Sequence, residues 1–195
     1  MKIEQFVMAY GVEQDRLRAI LPEGFSSLRP VLRLNAELRD GKTGYVELNT
    51  AVAHDGKRGW VNIGFWENVP FTREGKTVTF QTDFLRLSFT ATGTEGGCPA
   101  ERDNDGCFFP NGTPALRPPE TVAVNKEFCD CAFRWSFRGD NAHGVSIGMT
   151  LPAIPEAAAV EYPKEDFTPQ NAAAIPCRQV LGAYVVRFQR ETGRA

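Results

Sequence analysis

Glu47 is the residue in this sequence best placed to do chemistry. It lies in the stretch Gly44 to Trp66, GYVELNTAVAHDGKRGWVNIGFW, where two alternating runs flank Asp55-Gly56. Asp-Gly between such runs is a strong hairpin signal, and a two-residue turn fixes the register. That register sets His54 against Lys57, Thr50 against Val61, Leu48 against Ile63 and Val46 against Phe65 on one apolar face. The other face carries Tyr45 opposite Trp66, Glu47 opposite Gly64, Asn49 opposite Asn62 and Ala51 opposite Trp60. A carboxylate on a half-aromatic face can act as acid, base or ligand-orienting group, because burial disfavours its charged form. Tyr45, Trp60 and Trp66 offer contact surface, and Asn49 and Asn62 offer polar orientation. Arg33 and Arg86 are the cations expected to hold an anionic group. The plainer reading of Glu47 is a solvent-facing glutamate beside an Arg or Lys.

Cysteine chemistry is the second candidate. Cys129 and Cys131, two apart on a strand, point the same way and could share one ion, with Cys98, Cys107 or a histidine completing a tetrahedral set. The spacing matches no common zinc pattern, and the same face runs on into Phe133, Trp135 and Phe137, as small core thiols do. No metal and no cofactor are expected. The two histidines, His54 and His143, both fall beside predicted turns. No P-loop and no GxGxxG after a strand is present. Among the lysines, Lys126 precedes a strand and the others sit in turn or loop contexts.

The elements that must position these residues read mostly as strands. Residues 12–21 put Leu17, Ile20 and Leu21 at helical spacing, and Pro22 ends the helix. Val31 to Arg39 alternates, with Leu32, Leu34, Ala36 and Leu38 on one face and Arg33, Asn35, Glu37 and Arg39 on the other. With the hairpin this makes an antiparallel meander. Thr77 to Thr92 changes parity near Asp83–Leu85, which implies a bulge, a bend or two strands. Residues 93–120 are dense in Gly, Pro, Asn and Asp, a long loop expected to be mobile or partner-dependent. Strands resume at Val122, and a three-residue loop at Asp140-Asn141-Ala142 is expected to pair Phe137 with Val145 and Trp135 with Ile147. Pro152 to Pro176 reads as a connection with a short helix near Glu156–Val160, and Val180 to Phe188 as the last strand. The expected fold is mainly β, a bent antiparallel sheet or partly closed barrel with an N-terminal helix.

Composition narrows the partners. The chain has 195 residues, 42% apolar, with 22 Lys and Arg against 24 Asp and Glu. That is ordinary for one globular domain over residues 1–195. No basic stripe or nucleic-acid-binding motif is present, so no nucleic-acid partner is expected. The start has no apolar run long enough for a signal peptide or membrane helix. With an odd cysteine count of five, this leads to an expected cytoplasmic protein with reduced thiols and no membrane partner.

The N-terminal third resembles the acetoacetate decarboxylase-like superfamily. The resemblance is carried by Leu21-Pro22-Glu23-Gly24-Phe25 after the short helix, Gly44-Tyr45-Val46-Glu47 with its strand, and Gly59-Trp60-Val61, within residues 13–66. It implies a mostly β cone or barrel with an apolar cavity, often in homo-oligomers, and a small-molecule ligand. In the enzymes the glutamate of Tyr-x-Glu stands near a lysine that forms a Schiff base with a β-keto acid, and Glu47 matches that glutamate. The lysine motif Gly-Arg-Glu-x-x-Gly-Phe-Pro-Lys is absent, since the comparable residues read Thr72-Arg73-Glu74-Gly75-Lys76-Thr77-Val78. The resemblance therefore implies the cavity without Schiff-base decarboxylation, leaving lyase- or hydrolase-type acid–base chemistry at Glu47 on a small organic acid. The alternatives are a noncatalytic oligomeric β scaffold and a cysteine-based metal or thiol protein.

Overall fold

A computed structural model of the chain describes residues 1–95, 108–109, 121–137, 142–146 and 159–192. In chain order the elements are β1 (Lys2–Gly11), α1 (Gln14–Ile20), β2 (Ser26–Arg39), β3 (Thr43–His54), β4 (Lys57–Val69), β5 (Phe71–Glu74) and β6 (Thr77–Gln81). They continue with β7 (Leu85–Glu95), β8 (Phe108–Phe109), β9 (Thr121–Phe137), β10 (Ala142–Ser146), α2 (Pro169–Ala173) and β11 (Gln179–Thr192). The strands form one sheet ordered β5-β6-β7-β9-β11-β1-β2-β3-β4-β8, with β10 paired to β9. The pairings are antiparallel except for the short β4–β8 contact.

β1 sits at the centre of this order and is the element that alternation alone misses. Phe6, Val7, Met8, Ala9 and Tyr10 are all buried, because both faces of a central strand are covered. Such a strand reads as a continuous apolar run rather than an alternating one. Phe6 touches Phe80 of β6 and Phe89 of β7, at ring-centroid distances of 5.6 and 5.2 Å. Strands β9 and β11 lie between β1 and β7, so the sheet curls back on itself into a half-barrel. The main core fills that curl: Leu32, Leu34, Ala36 and Leu38 from β2, Val46 and Leu48 from β3, and Cys129, Cys131, Phe133 and Trp135 from β9. Leu17 and Ile20 of α1 and Ala172 of α2 join it. Ile3, Val7, Ala9, Tyr184 and Val186 make a smaller cluster on the opposite face.

The meander β2–β3–β4 forms as read, but the second half of its hairpin changes register. From His54↔Lys57 to Asn49↔Asn62 the pairing follows the Asp55-Gly56 turn. Ile63 is then an extra residue, so Leu48 pairs with Gly64, Glu47 with Phe65 and Val46 with Trp66. Asn68, at φ 53°, is a second extra residue that sets Tyr45 against Glu67. A bulge keeps two successive side chains on one face and reverses the parity beyond it. Phe65 thus moves to the face of Glu47, and Trp66 moves to the core face, where it stacks on Phe84 at 5.7 Å.

Other expectations divide in the same way. The parity change near Asp83 is a hairpin of two strands, β6 and β7, with Thr82 Oγ1 accepting from the backbone N–H of Phe84 and Leu85. On β9, Trp135 pairs with Ala142 and not Ile147, Val145 pairs with Ala132 and not Phe137, and Phe133 pairs with Gly144. Aromatic residues there stand opposite small ones. α2 lies inside what read as plain connection, capped by Thr168 Oγ1 accepting from Asn171 N–H. Most of the 93–120 loop, residues 140–141 of the expected turn and residues 156–158 of the expected helix lie outside the described residues.

Two glycines permit the close approaches at the ends of this irregular stretch. A Cβ on Gly64 would stand 2.4 Å from Pro169 Cγ of α2, and one on Gly44 would stand 2.3 Å from the Val69 carbonyl oxygen. The second obstacle is backbone and can be relieved only by moving a strand. Gly44→Ala is therefore expected to lower stability by about 1–3 kcal/mol in urea unfolding. A change under about 0.5 kcal/mol would contradict this packing of β3 on β4.

Candidate functional site

The face of β2, β3 and β4 opposite the main core carries a buried polar network. Register sets Asn35 opposite Glu47 and Arg33 opposite Asn49, so the polar parity of β2 meets that of β3. Glu47 is 7% exposed, Asn35 7% and Asn49 0%. Glu47 Oε1 accepts from Asn35 Nδ2 at 2.8 Å and Asn49 Nδ2 at 2.9 Å, and Oε2 accepts from the Tyr45 hydroxyl at 2.8 Å. Three neutral donors thus hold the carboxylate, and among the described residues no cation forms an ion pair with it. The Asn62 amide is assigned from its hydrogen bonds, with its nitrogen donating to the carbonyls of Gly64 (2.6 Å) and Leu48 (3.0 Å). Those are the residues flanking the Ile63 bulge, where the ladder is interrupted. In that orientation the amide atom 3.4 Å from Glu47 Oε2 is the oxygen.

The cations stand one step out. Arg33 Nε donates to Asn49 Oδ1 at 2.7 Å, and its guanidinium lies 3.6 Å from the Trp60 ring centroid. Arg39 stacks on Tyr45 at 4.3 Å and donates to Glu37 at 2.9 Å. Arg190, from β11, also donates to Glu37, at 3.0 Å through Nη1 and again through Nη2. Burial alone would raise the Glu37 carboxyl, but the hydrogen bonds and charge of Arg190, then those of Arg39, outweigh it and hold it below the usual glutamate value. Burial, then the charge of Glu47 and the hydrogen bond to it, pushes the Tyr45 phenol well above the tyrosine range. Tyr45 therefore remains a proton donor to Glu47 at any physiological pH.

Of the residues singled out by spacing, Glu47, Tyr45, Asn49, Asn62, Trp60 and Arg33 come together here. Trp66 does not, because the bulge turns it to the core. Arg86 does not either: it is exposed on β7, with four strands between β7 and β3 in the sheet order. Sequence reasoning left out Asn35, Glu37, Arg39, Arg190 and Phe65. The first three have a signal in the alternation, since Arg33, Asn35, Glu37 and Arg39 share a parity that short connections bring beside β3. Phe65 is 45% exposed opposite Glu47, a position only the bulge creates.

No family model matches the chain, and no curated protein matches it in sequence. Solved structures do match it. The acetoacetate decarboxylase of Legionella pneumophila superimposes with a TM-score of 0.54 at 11% identity, covering 100% of this chain and 84% of that one. MppR, an enduracididine biosynthesis enzyme complexed with pyruvate, superimposes with a TM-score of 0.52 at 12% identity, covering 97% of this chain and 85% of that one. The chain has the acetoacetate decarboxylase-like fold. Its curled sheet and few helices belong to that fold, and the chemistry has to be read from the chain's own side chains.

Among the lysines whose exposure is described, none is buried. Lys2, Lys42, Lys57, Lys76 and Lys164 are all exposed, and the Lys164 ammonium donates to the Leu21 carbonyl at the end of α1. His54 lies outside the network: its Nδ1 meets the Gly24 carbonyl at 2.9 Å and its ring stacks on Phe25 at 4.6 Å. Cys129 and Cys131 are buried in the main core. Among the described residues no group of three or more His, Cys, Asp or Glu is arranged to hold a metal ion. Burial pushes the Cys131 thiol up to about 12.

Two outcomes follow. Native protein treated with iodoacetamide at pH 8 should leave Cys131 unmodified, because almost none of it is thiolate, and unfolding should expose it. Alkylation at the rate of a free thiol would contradict its burial. Glu37, with its depressed carboxyl, contributes stability that is present above the ordinary glutamate value of about 4.3 and is lost as pH falls through its lower folded value. The unfolded chain takes up that proton first, so stability rises with pH across this window. Glu37→Gln should flatten the acid limb of the stability curve, and an unchanged limb would show that Arg190 and Arg39 do not hold a charged Glu37.

Proposed function

We propose that the chain binds a small organic acid over the Glu47 face and acts on it by lyase- or hydrolase-type acid–base chemistry, without a lysine Schiff base. The observation that carries this reading is a buried carboxylate held by three neutral donors and flanked by Tyr45 and Trp60. A structural glutamate on a sheet is ordinarily exposed or paired with a cation. One held in place by neutral donors, with no ion pair among the described residues, is poised to take a proton or to orient a polar group. Trp60 and Phe65 offer apolar contact to either side, and Arg33, stacked on Trp60, gives the face positive charge for a carboxylate. MppR, of similar fold, is complexed with pyruvate, which supports an acid of that size.

Schiff-base decarboxylation requires an amine desolvated in an apolar pocket. Every lysine whose exposure is described is solvated. A homo-oligomer in the cytoplasm remains part of the reading. Among the described residues no helix is long and apolar enough to cross a membrane.

Glu47→Gln tests the assignment, since it keeps the shape and removes the charge. Thermal-shift screening of small organic acids should find binders to the native protein that Glu47→Gln no longer binds, with circular dichroism unchanged. Borohydride reduction in the presence of pyruvate should leave no covalent adduct. An adduct on any lysine, Lys126 and Lys76 first, would restore the decarboxylase reading, and binding indifferent to Glu47 would remove Glu47 from the site.

A further inference from the structure

The network around Glu47 is unbalanced in its hydrogen bonding. Among the described residues, Asn35 Oδ1 is a buried acceptor with no donor, on a side chain whose nitrogen is already committed to Glu47. The carboxylate itself has no ion-pair partner among the described residues. The guanidiniums nearby each have an acceptor already: Arg33 has Asn49 Oδ1, and Arg39 and Arg190 share Glu37. A native interior rarely leaves a buried acceptor unmatched, and an unmatched one marks the place of a missing donor.

We infer that the ligand of this face presents a cationic nitrogen donor, an ammonium, amidinium or guanidinium group, to Asn35 Oδ1 and Glu47 Oε2. The inference rests on the small-molecule reading above and narrows it. The organic acid becomes one that also bears a basic nitrogen, whose N–H groups fill the acceptor cluster while its carboxylate lies towards Arg33. Charge supports the same polarity. A buried carboxylate surrounded by neutral groups is stabilised by a cation and destabilised by a second anion placed against it. Arg33 and Asn35 are two residues apart on the same face of β2, so a ligand a few bonds long spans both ends.

The test uses the full chain at pH 7 and four probes, namely butylammonium, 4-aminobutyrate, butyrate and pyruvate. Binding is followed by calorimetry and by the ¹⁵N–¹H resonances of the Asn35 side-chain amide. The expected result is that butylammonium and 4-aminobutyrate bind and shift the Asn35 amide, with 4-aminobutyrate at least about tenfold tighter than butyrate. Asn35→Ala should weaken 4-aminobutyrate by about tenfold, and the Asn35 amide shift in the native protein answers the same question should that variant fail to fold. Butyrate or pyruvate binding on this face as tightly as 4-aminobutyrate, with the amines excluded, would keep the site and overturn the inference. If none of the four bound, the orphan acceptor would belong to a water, and the inference and the small-molecule reading would fall together.

Discussion

The structure depends on keeping a carboxylate out of water on neutral donors, with no ion pair to it among the described residues. Transferring such a group into a protein interior costs several kcal/mol unless donors replace the lost hydration. Asn35, Asn49 and Tyr45 provide those donors, and at about 1.5–3 kcal/mol for each hydrogen bond to a charged group they are of the size required. They come from two strands in one register. Slipping β2 against β3 by one residue would bring leucines to Glu47 and turn Arg33, Asn35 and Glu37 into the main core. The polar network and the apolar core therefore specify the same pairing from opposite faces.

The bulge at Ile63 completes the arrangement. It releases the Leu48 and Gly64 carbonyls from the ladder, and the Asn62 amide takes both. It also exchanges Trp66 for Phe65 on the Glu47 face, so a large ring packs into the core and a half-exposed one borders the site. Gly64 lets Pro169 of α2 lie directly on the bulge, so the helix fixes the point at which β4 changes parity. Farther out, Glu37 draws Arg39 and Arg190 together and ties β11 to the meander across β1.

Much of this is legible in the sequence where a single strand decides the matter. The alternation of Val31 to Arg39, the Asp55-Gly56 turn and the helix stopped by Pro22 all fold as read, and the motifs around Glu47 point to the fold that the solved structures share. The errors arise where a partner decides. β1 is apolar on both faces because the main core packs on one and the smaller cluster on the other, which alternation within one segment does not reveal. Trp66 is misplaced because a bulge of one residue leaves no mark in composition, and only the gain from burying its indole against Phe84 selects it. Arg86 is misplaced because the order of strands in the sheet is a long-range property. Asn35 escapes notice because its role depends on the strand beside it.

The claim that the polar face of β2–β4 is a ligand site, and not only a brace for the sheet, is tested most directly by a crystal of the full chain soaked with 4-aminobutyrate. The account predicts density above Glu47, bordered by Trp60 and Phe65, with the amino nitrogen within hydrogen-bonding distance of Asn35 Oδ1. Density confined to the aromatic core face, or a Glu47 face covered by a second copy of the chain with no room for a small molecule, would contradict it.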